Sequence, residues 1–227
     1  MRPVPGTAGV PPAVTGEGRT LDEIEAYALF DRLGIRHAPS VALDAGIPVP
    51  PTLPFGYPVV LKVLSSEITH KSDVGGVTLN IADAPSLVAA IAAMSNRLPE
   101  ARRVLVQPMI AGVGEVLIGY RIDPDVGPLV MVAAGGVYTE IYRDRSLRLA
   151  PVDAGTAAEM IAEVRGLAAL AGYRGKPAGD LTALARAIAA LSQLAADPAV
   201  VEAEINPLIV RPEGEGVVAV DAVVQLT

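Results

Sequence analysis

Apolar residues in this chain recur at two spacings, every third or fourth position in some stretches and every second position in others. Ala26, Leu29, Phe30 and Leu33 share one helical face. The run Thr20-Leu21-Asp22-Glu23 reads as a capping box that opens this helix, and Gly34 as its stop. A second helix is predicted to start near Asp83, with Leu87, Ile91, Met94 and Leu98 on one side. Two more are predicted over 156–171 and 181–195, with Gly172 and Asp180 as boundary signals. Strand patterns fall at 59–64, 77–81, 104–109, 116–121, 129–133, 137–142, 147–149, 201–210 and 217–224. Glycine and Asp-Pro turns join many of them, which favours antiparallel sheet, and the last two flank the turn Pro212-Glu213-Gly214-Glu215-Gly216. The layout predicts an α+β fold in two lobes: a flexible N-terminal segment over 1–19, a first lobe over 20–108 and a second over 109–227.

Composition narrows the function classes. The chain has 227 residues, enough for a sizeable core, and is 51% hydrophobic. Its net charge of −7 and few aromatics argue against nucleic-acid binding, which leaves a basic footprint. It has no cysteine, which removes disulfides, thiolate metal sites and thiol catalysis. No apolar run approaches the roughly 18 residues that a spanning helix needs. A soluble, cytoplasmic protein without a targeting segment is expected.

Three constellations could carry chemistry. Lys62 interrupts an apolar strand, so its ammonium either faces solvent or meets an anion. His70-Lys71-Ser72-Asp73 precedes Gly75-Gly76, in a polar stretch between two strand patterns. Glycines let backbone amides approach a phosphate, and an imidazole can attack phosphorus; an ordinary loop histidine is the competing reading. The only other histidine, His37, reads as structural. In Glu204-Ile205-Asn206-Pro207-Leu208, a period of two puts Glu204 and Asn206 on one strand face. A hairpin could bring the Asp221 carboxylate beside Asn206, an oxygen set suited to Mg²⁺; solvent-facing strand ends are the alternative. Gly135-Gly136 reads as a close-approach or bulge site. The chain contains neither a Gly-x-Gly-x-x-Gly run nor a Walker-type Gly-Lys-Ser/Thr.

Together these segments resemble the β subunit of ADP-forming acetate–CoA ligases and, more distantly, that of succinyl-CoA synthetase. The pieces are Gly56-Tyr57-Pro58-Val59-Val60-Leu61-Lys62, His70-Lys71-Ser72-Asp73-Val74-Gly75-Gly76-Val77, Gly172-Tyr173-Arg174-Gly175, Glu204-Ile205-Asn206-Pro207-Leu208 and Val220-Asp221-Ala222. Their shared order, from Leu21 to Leu226, carries the likeness. It implies an ATP-grasp fold, with ATP between antiparallel sheets, and the reaction carboxylate + CoA + ATP ⇌ acyl-CoA + ADP + phosphate. It also implies that His70 carries phosphate, that Glu204 orients and stabilises the phosphohistidine, and that Lys62 holds nucleotide phosphates. Asn206 and Asp221 would hold Mg²⁺, Gln107, Pro108, Met109 and Ile110 would border the adenine, and Glu115 would reach the ribose. Phosphoryl transfer needs positioning and charge neutralisation above all, which these residue types supply.

The chain departs from the family pattern at Ala133, where Gly-x-Gly-Gly is frequent, at Glu204, where aspartate is common, and at Val126, where phenylalanine is usual. The resemblance implies a separate CoA-binding α-type subunit, while the net charge and the short apolar runs place no nucleic acid or membrane among the expected partners. Two rival readings stand beside it. One is another ATP-grasp ligase that activates a carboxylate as an acyl phosphate and needs no His70. The other is a non-catalytic nucleotide-binding regulatory module.

Overall fold

A computed structural model describes residues 18–44, 46, 49–50, 52–68, 71–135, 144–172, 175 and 177–227. His70, Gly136, Tyr173, Arg174 and the strand expected over 137–142 lie outside the described residues, as does most of the N-terminal segment. The elements, in chain order, are β1 (Arg19–Leu21), α1 (Glu23–Arg32), β2 (Val41–Asp44), β3 (Val59–Val63), β4 (Val77–Ile81) and α2 (Ala84–Arg97). Then follow β5 (Arg103–Pro108), β6 (Gly114–Asp123), β7 (Gly127–Ala134), β8 (Arg145–Leu149), α3 (Ala154–Glu163) and α4 (Leu181–Ser192). The chain closes with β9 (Val200–Val210), β10 (Val217–Ala219) and β11 (Ala222–Leu226).

Two antiparallel sheets organise the protein. The smaller has four strands in the order β2-β5-β3-β4. The larger has seven, in the order β1-β11-β9-β6-β7-β8, with β10 added alongside β9. β1 pairs antiparallel with β11, from Arg19 opposite Leu226 to Leu21 opposite Val224, so the first and last strands of the described residues lie together in the larger sheet.

Alternation sorts the faces. Val59, Leu61 and Val63 of β3 pack with Leu87, Met94 and Leu98 from α2 and its end, as the helical stripe predicted. The opposite face of the small sheet contributes Leu64 and Leu105 to the larger core, where they join Ala26, Leu29 and Phe30 of α1. That core continues through Ile118, Val130, Val132 and Ile205 on one face of the large sheet, covered by Met160 of α3 and Leu184, Ile188 and Leu191 of α4. α1 is therefore the layer through which the two sheets touch.

Four predicted details change. The capping box sits two residues later, at Asp22 and Glu25: Asp22 accepts from the amides of Ile24 and Glu25, and Glu25 accepts from the Asp22 amide. Thr20 is held in β1 opposite Gln225, and Glu23 is released for another use. The helix over 156–171 breaks at Val164, whose ψ of 106° is extended, and continues as a 3₁₀ segment, Arg165–Ala171. Asp144 takes up the amides this break frees at Arg165 and Gly166. The strand over 217–224 is interrupted at Val220 and Asp221, and β1 and β2 are strands that the apolar pattern did not reveal. Gly135 does mark a close approach, since a Cβ there would lie 2.6 Å from the Glu115 carbonyl carbon.

Candidate functional site

Lys62 lies on the face of β3 turned towards α1, and it is 5% exposed. Its ammonium donates to Glu23 Oε1 at 2.7 Å and to the Val220 carbonyl. The anion it meets is therefore Glu23, a carboxylate on the first turn of α1 that is itself 2% exposed. Glu23 gathers three donors: Lys62, Lys71 at 2.8 Å and the Tyr27 hydroxyl at 2.6 Å. Lys71 also donates to Asp221 Oδ1 at 2.5 Å, and Lys62 stands 3.9 Å from the same oxygen. Two carboxylates thus balance two ammoniums in a nearly closed cluster. Removing one partner would leave an uncompensated charge there.

The cluster has a neutral tail. Gln107 on β5 is fully buried, and its Nε2 donates to the Tyr27 hydroxyl at 2.9 Å. Gln107 Oε1 has no partner among the described residues. Burial raises the Tyr27 phenol well above its ordinary pKa, and the neighbouring Glu23 charge raises it further. Burial works against charge on Lys71, yet Glu23 and Asp221 outweigh it and raise the ammonium's pKa. Asp221 shows the mirror case: burial opposes its charge, and Lys62 and then Lys71 hold its carboxyl below the ordinary range.

The break between β10 and β11 places Asp221. The Val220 amide donates to the Pro207 carbonyl and the Asn206 amide to the Asp221 carbonyl, so the break is pinned across β9. Its carboxylate then opens on a cavity of about 330 Å³. Lys71, Glu202, Glu204 and Asn206 share its wall. The expected face is formed: Asn206 Nδ2 donates to Glu204 Oε1 at 3.3 Å. A second cavity of about 250 Å³ continues from Glu202 and Glu204 along Gly119, Arg121 and Arg145 on the same open face of the large sheet. A third hollow, about 1030 Å³, is a mainly apolar trough along Val126, Leu129, Leu147 and Leu149.

The remaining predicted residues lie around this centre. Pro108, Met109 and Ile110 are half-buried where the chain leaves the small sheet for β6, and the Met109 amide donates to the Pro58 carbonyl at 3.0 Å. Glu115 is exposed near the start of β6. Lys62 does not line the cavity, whereas Lys71 does. The sequence alone assigned no individual site role to Tyr27, Lys71 or Glu202, and it gave Glu23 only the capping-box role. A signal for Glu23 was present: it precedes Ala26, Tyr27 and Phe30 at helical spacings, and so falls on the buried stripe.

The donors suit a hard cation. Asp221 and Asn206 offer a carboxylate and an amide oxygen on one cavity wall, and the Lys71 ammonium on Asp221 stands in for positive charge there. Among the described residues no group of three or more His, Cys, Asp or Glu could hold a metal unaided. Mg²⁺ usually takes one or two protein ligands and completes its shell with water and phosphate.

A family model described as an ATP-grasp domain matches residues 13–226. The chain is 43% identical over 169 residues to the ADP-forming acetate–CoA ligase I of Archaeoglobus fulgidus, covering 72% of this chain and 25% of that protein. It therefore spans about a quarter of the length of that relative. With the β subunit of ADP-forming acetate–CoA ligase I from Pyrococcus furiosus it shares 38% identity over 174 residues, 74% of each chain. Among solved structures, the dinucleotide-forming acetyl-coenzyme A synthetase 1 of Ca. Korarchaeum cryptofilum, in complex with coenzyme A, Ca-AMPCP and HgCl⁺, superposes with a TM-score of 0.83 at 32% identity, covering 92% of this chain and 94% of that one. Another structure of that enzyme contains coenzyme A and Mg-AMPPCP, with its phosphohistidine segment pointing towards the nucleotide binding site. It superposes with a TM-score of 0.76 at 32% identity, over 92% and 93% of the two chains. Among the described residues, no helix is long and apolar enough to cross a membrane.

Proposed function

This chain belongs to the ATP-grasp family, and from that premise we propose that it is the nucleotide-binding part of an ADP-forming acyl-CoA synthetase, with phosphate carried by His70. The observation that carries the reading is the convergence on one cavity of Lys71, from the His-Lys-Ser-Asp motif, with Glu204, Asn206 and Asp221 from the end of the chain, beside the buried Lys62–Glu23 pair. Both curated relatives described above are ADP-forming acetate–CoA ligases, and the Pyrococcus furiosus one is a β subunit, which supports a CoA-binding α-type partner. In this reading the lobes divide between 108 and 109, and the protein works in the cytoplasm.

Each residue has a task that the charges support. ATP enters with its adenine against Pro108, Met109 and Ile110, next to buried Gln107, and its ribose towards Glu115. Asn206 and Asp221 hold Mg²⁺, which supplies charge neutralisation at the phosphates. Lys62 adds positive charge from behind Asp221. One imidazole nitrogen of His70 forms the bond to the γ-phosphorus as the bond from that phosphorus to the ADP oxygen breaks. Glu204 accepts a hydrogen bond from the other ring nitrogen, which orients the ring and stabilises its positive charge. The phosphate then passes to the carboxylate site of the α-type partner.

Incubating the chain with its partner subunit and γ-³²P-labelled ATP and Mg²⁺ tests this. Acid-labile, alkali-stable label is expected on wild type and absent from His70→Ala. Nucleotide binding without any such label would overturn the carrier role.

A further inference from the structure

Asp221 already has a cation. Its Oδ1 accepts from Lys71 at 2.5 Å and from the Ala222 amide at 2.8 Å, and Lys62 lies 3.9 Å away. Lys71 has a second acceptor at hand, Glu23 Oε2 at 2.8 Å, so it can leave Asp221 without losing a carboxylate partner. Its side chain is 4% exposed, while that of Asp221 is 26% exposed and faces the cavity. Lys71 lines the same cavity but is nearly sealed from solvent, so a solvent-borne ion meets the more exposed Asp221 carboxylate. A divalent ion on the same carboxylate would stand within roughly 5 Å of this ammonium, where a +2 and a +1 charge repel strongly.

We propose that Lys71 is an internal counter-cation for the metal-binding carboxylate, holding Asp221 until a divalent cation binds there and then withdrawing onto Glu23. The inference rests on the assignment of Asn206 and Asp221 as metal ligands. It gives Lys71 a positioning role: it keeps Asp221 charged and in place while no metal is bound, and its release reports metal binding to the buried cluster. Glu23 is the resting place that makes the exchange reversible. With Lys71 moved, Glu23 still holds both Lys62 and Lys71.

Two measurements on the full chain test this. The first is Mn²⁺ affinity without nucleotide, followed by electron paramagnetic resonance, for wild type, Lys71→Gln and Asn206→Ala. Lys71→Gln is expected to bind at least tenfold tighter than wild type, and Asn206→Ala more weakly. The second is a crystal structure with Mn²⁺ bound, in which Lys71 is expected to remain on Glu23 and to be out of contact with Asp221. A Lys71 that still contacts Asp221 with metal bound, or a Lys71→Gln protein that binds Mn²⁺ no tighter, overturns the exchange. Thermal unfolding of each variant guards against reading misfolding as weak binding, and Lys71→Met serves in place of a Lys71→Gln protein that does not fold. If neither wild type nor a folded Lys71 variant binds Mn²⁺, the assignment of the metal ligands falls and the exchange with it. If the exchange is seen and His70 takes no label from ATP, the inference stands and the carrier role alone is lost.

Discussion

Glu23 shows how much one side chain can decide. Its carboxylate is buried, and it is tied to two lysines and a tyrosine. Alanine at this position would leave Lys62 and Lys71 to share Asp221 in a poorly solvated space. Glu23→Ala is expected to destabilise the protein by about 3–5 kcal/mol, the range for breaking a buried ion pair from one side, as read by urea unfolding. A loss under about 1 kcal/mol would mean that the lysines reach water or another acceptor. Legibility at this scale was uneven. Lys62 announced itself because a charge inside an apolar strand must be answered. Glu23 did not, because the first helical turn is where an acidic residue is already expected for capping and for the helix dipole. Asp221 was legible as a candidate, but its pairing with Lys71 depends on contacts 150 residues apart in sequence.

Elements were legible where the period was long and unbroken. α2 starts at its expected cap, Asp83, and its buried residues are on the predicted stripe. The failures lie where tertiary contacts overrule local pattern. β1 has only three residues and exists because β11 offers it an edge. The last strand breaks because backbone bonds to Asn206 and Pro207 pin the break across β9. Asp180 was read as a boundary and does more than that. One carboxylate oxygen caps α4 through the Ala183 amide, and the other accepts from the amides of Gly214 and Gly216 in the turn before β10. Asp180→Ala is expected to cost about 2 kcal/mol, the upper end for a lost cap, because the turn loses its anchor too. The amide of Ala183 is the leading cause of a lowered Asp180 pKa, with those of Gly216 and Gly214 adding to it against desolvation. A lowered carboxyl pKa stabilises the fold above the unfolded value of about 4, and that contribution fades as pH falls through the folded value. The stability advantage of wild type over Asp180→Asn should therefore shrink below about pH 4 in acid titrations of unfolding, and a constant difference would rule out this linkage.

The whole molecule is joined by more than the charged cluster. Leu64 and Leu105 come from the small sheet and its margin, yet they pack in the core that the large sheet and its helices share with α1. The sheets should therefore unfold together. Leu105→Ala is expected to lower stability by about 2–5 kcal/mol while far-UV circular dichroism and tyrosine fluorescence still report one coincident transition. Two separated transitions would show that the sheets are independent folding units. The antiparallel two-sheet plan was readable from the turns and short strands, since each hairpin is local. Which layer α1 would join was not, because an amphipathic helix states only that it has a buried side.

β9 serves both the core and the cavity, and it does so by alternation. Ala203 and Ile205 are fully buried, while Glu202, Glu204 and Asn206 reach the open face. Natural variation along this strand should therefore sort by odd and even position: changes at 203 and 205 are tolerated or not according to volume, and changes at 202, 204 and 206 according to charge. A lineage could retune what it binds without reopening the question of whether it folds.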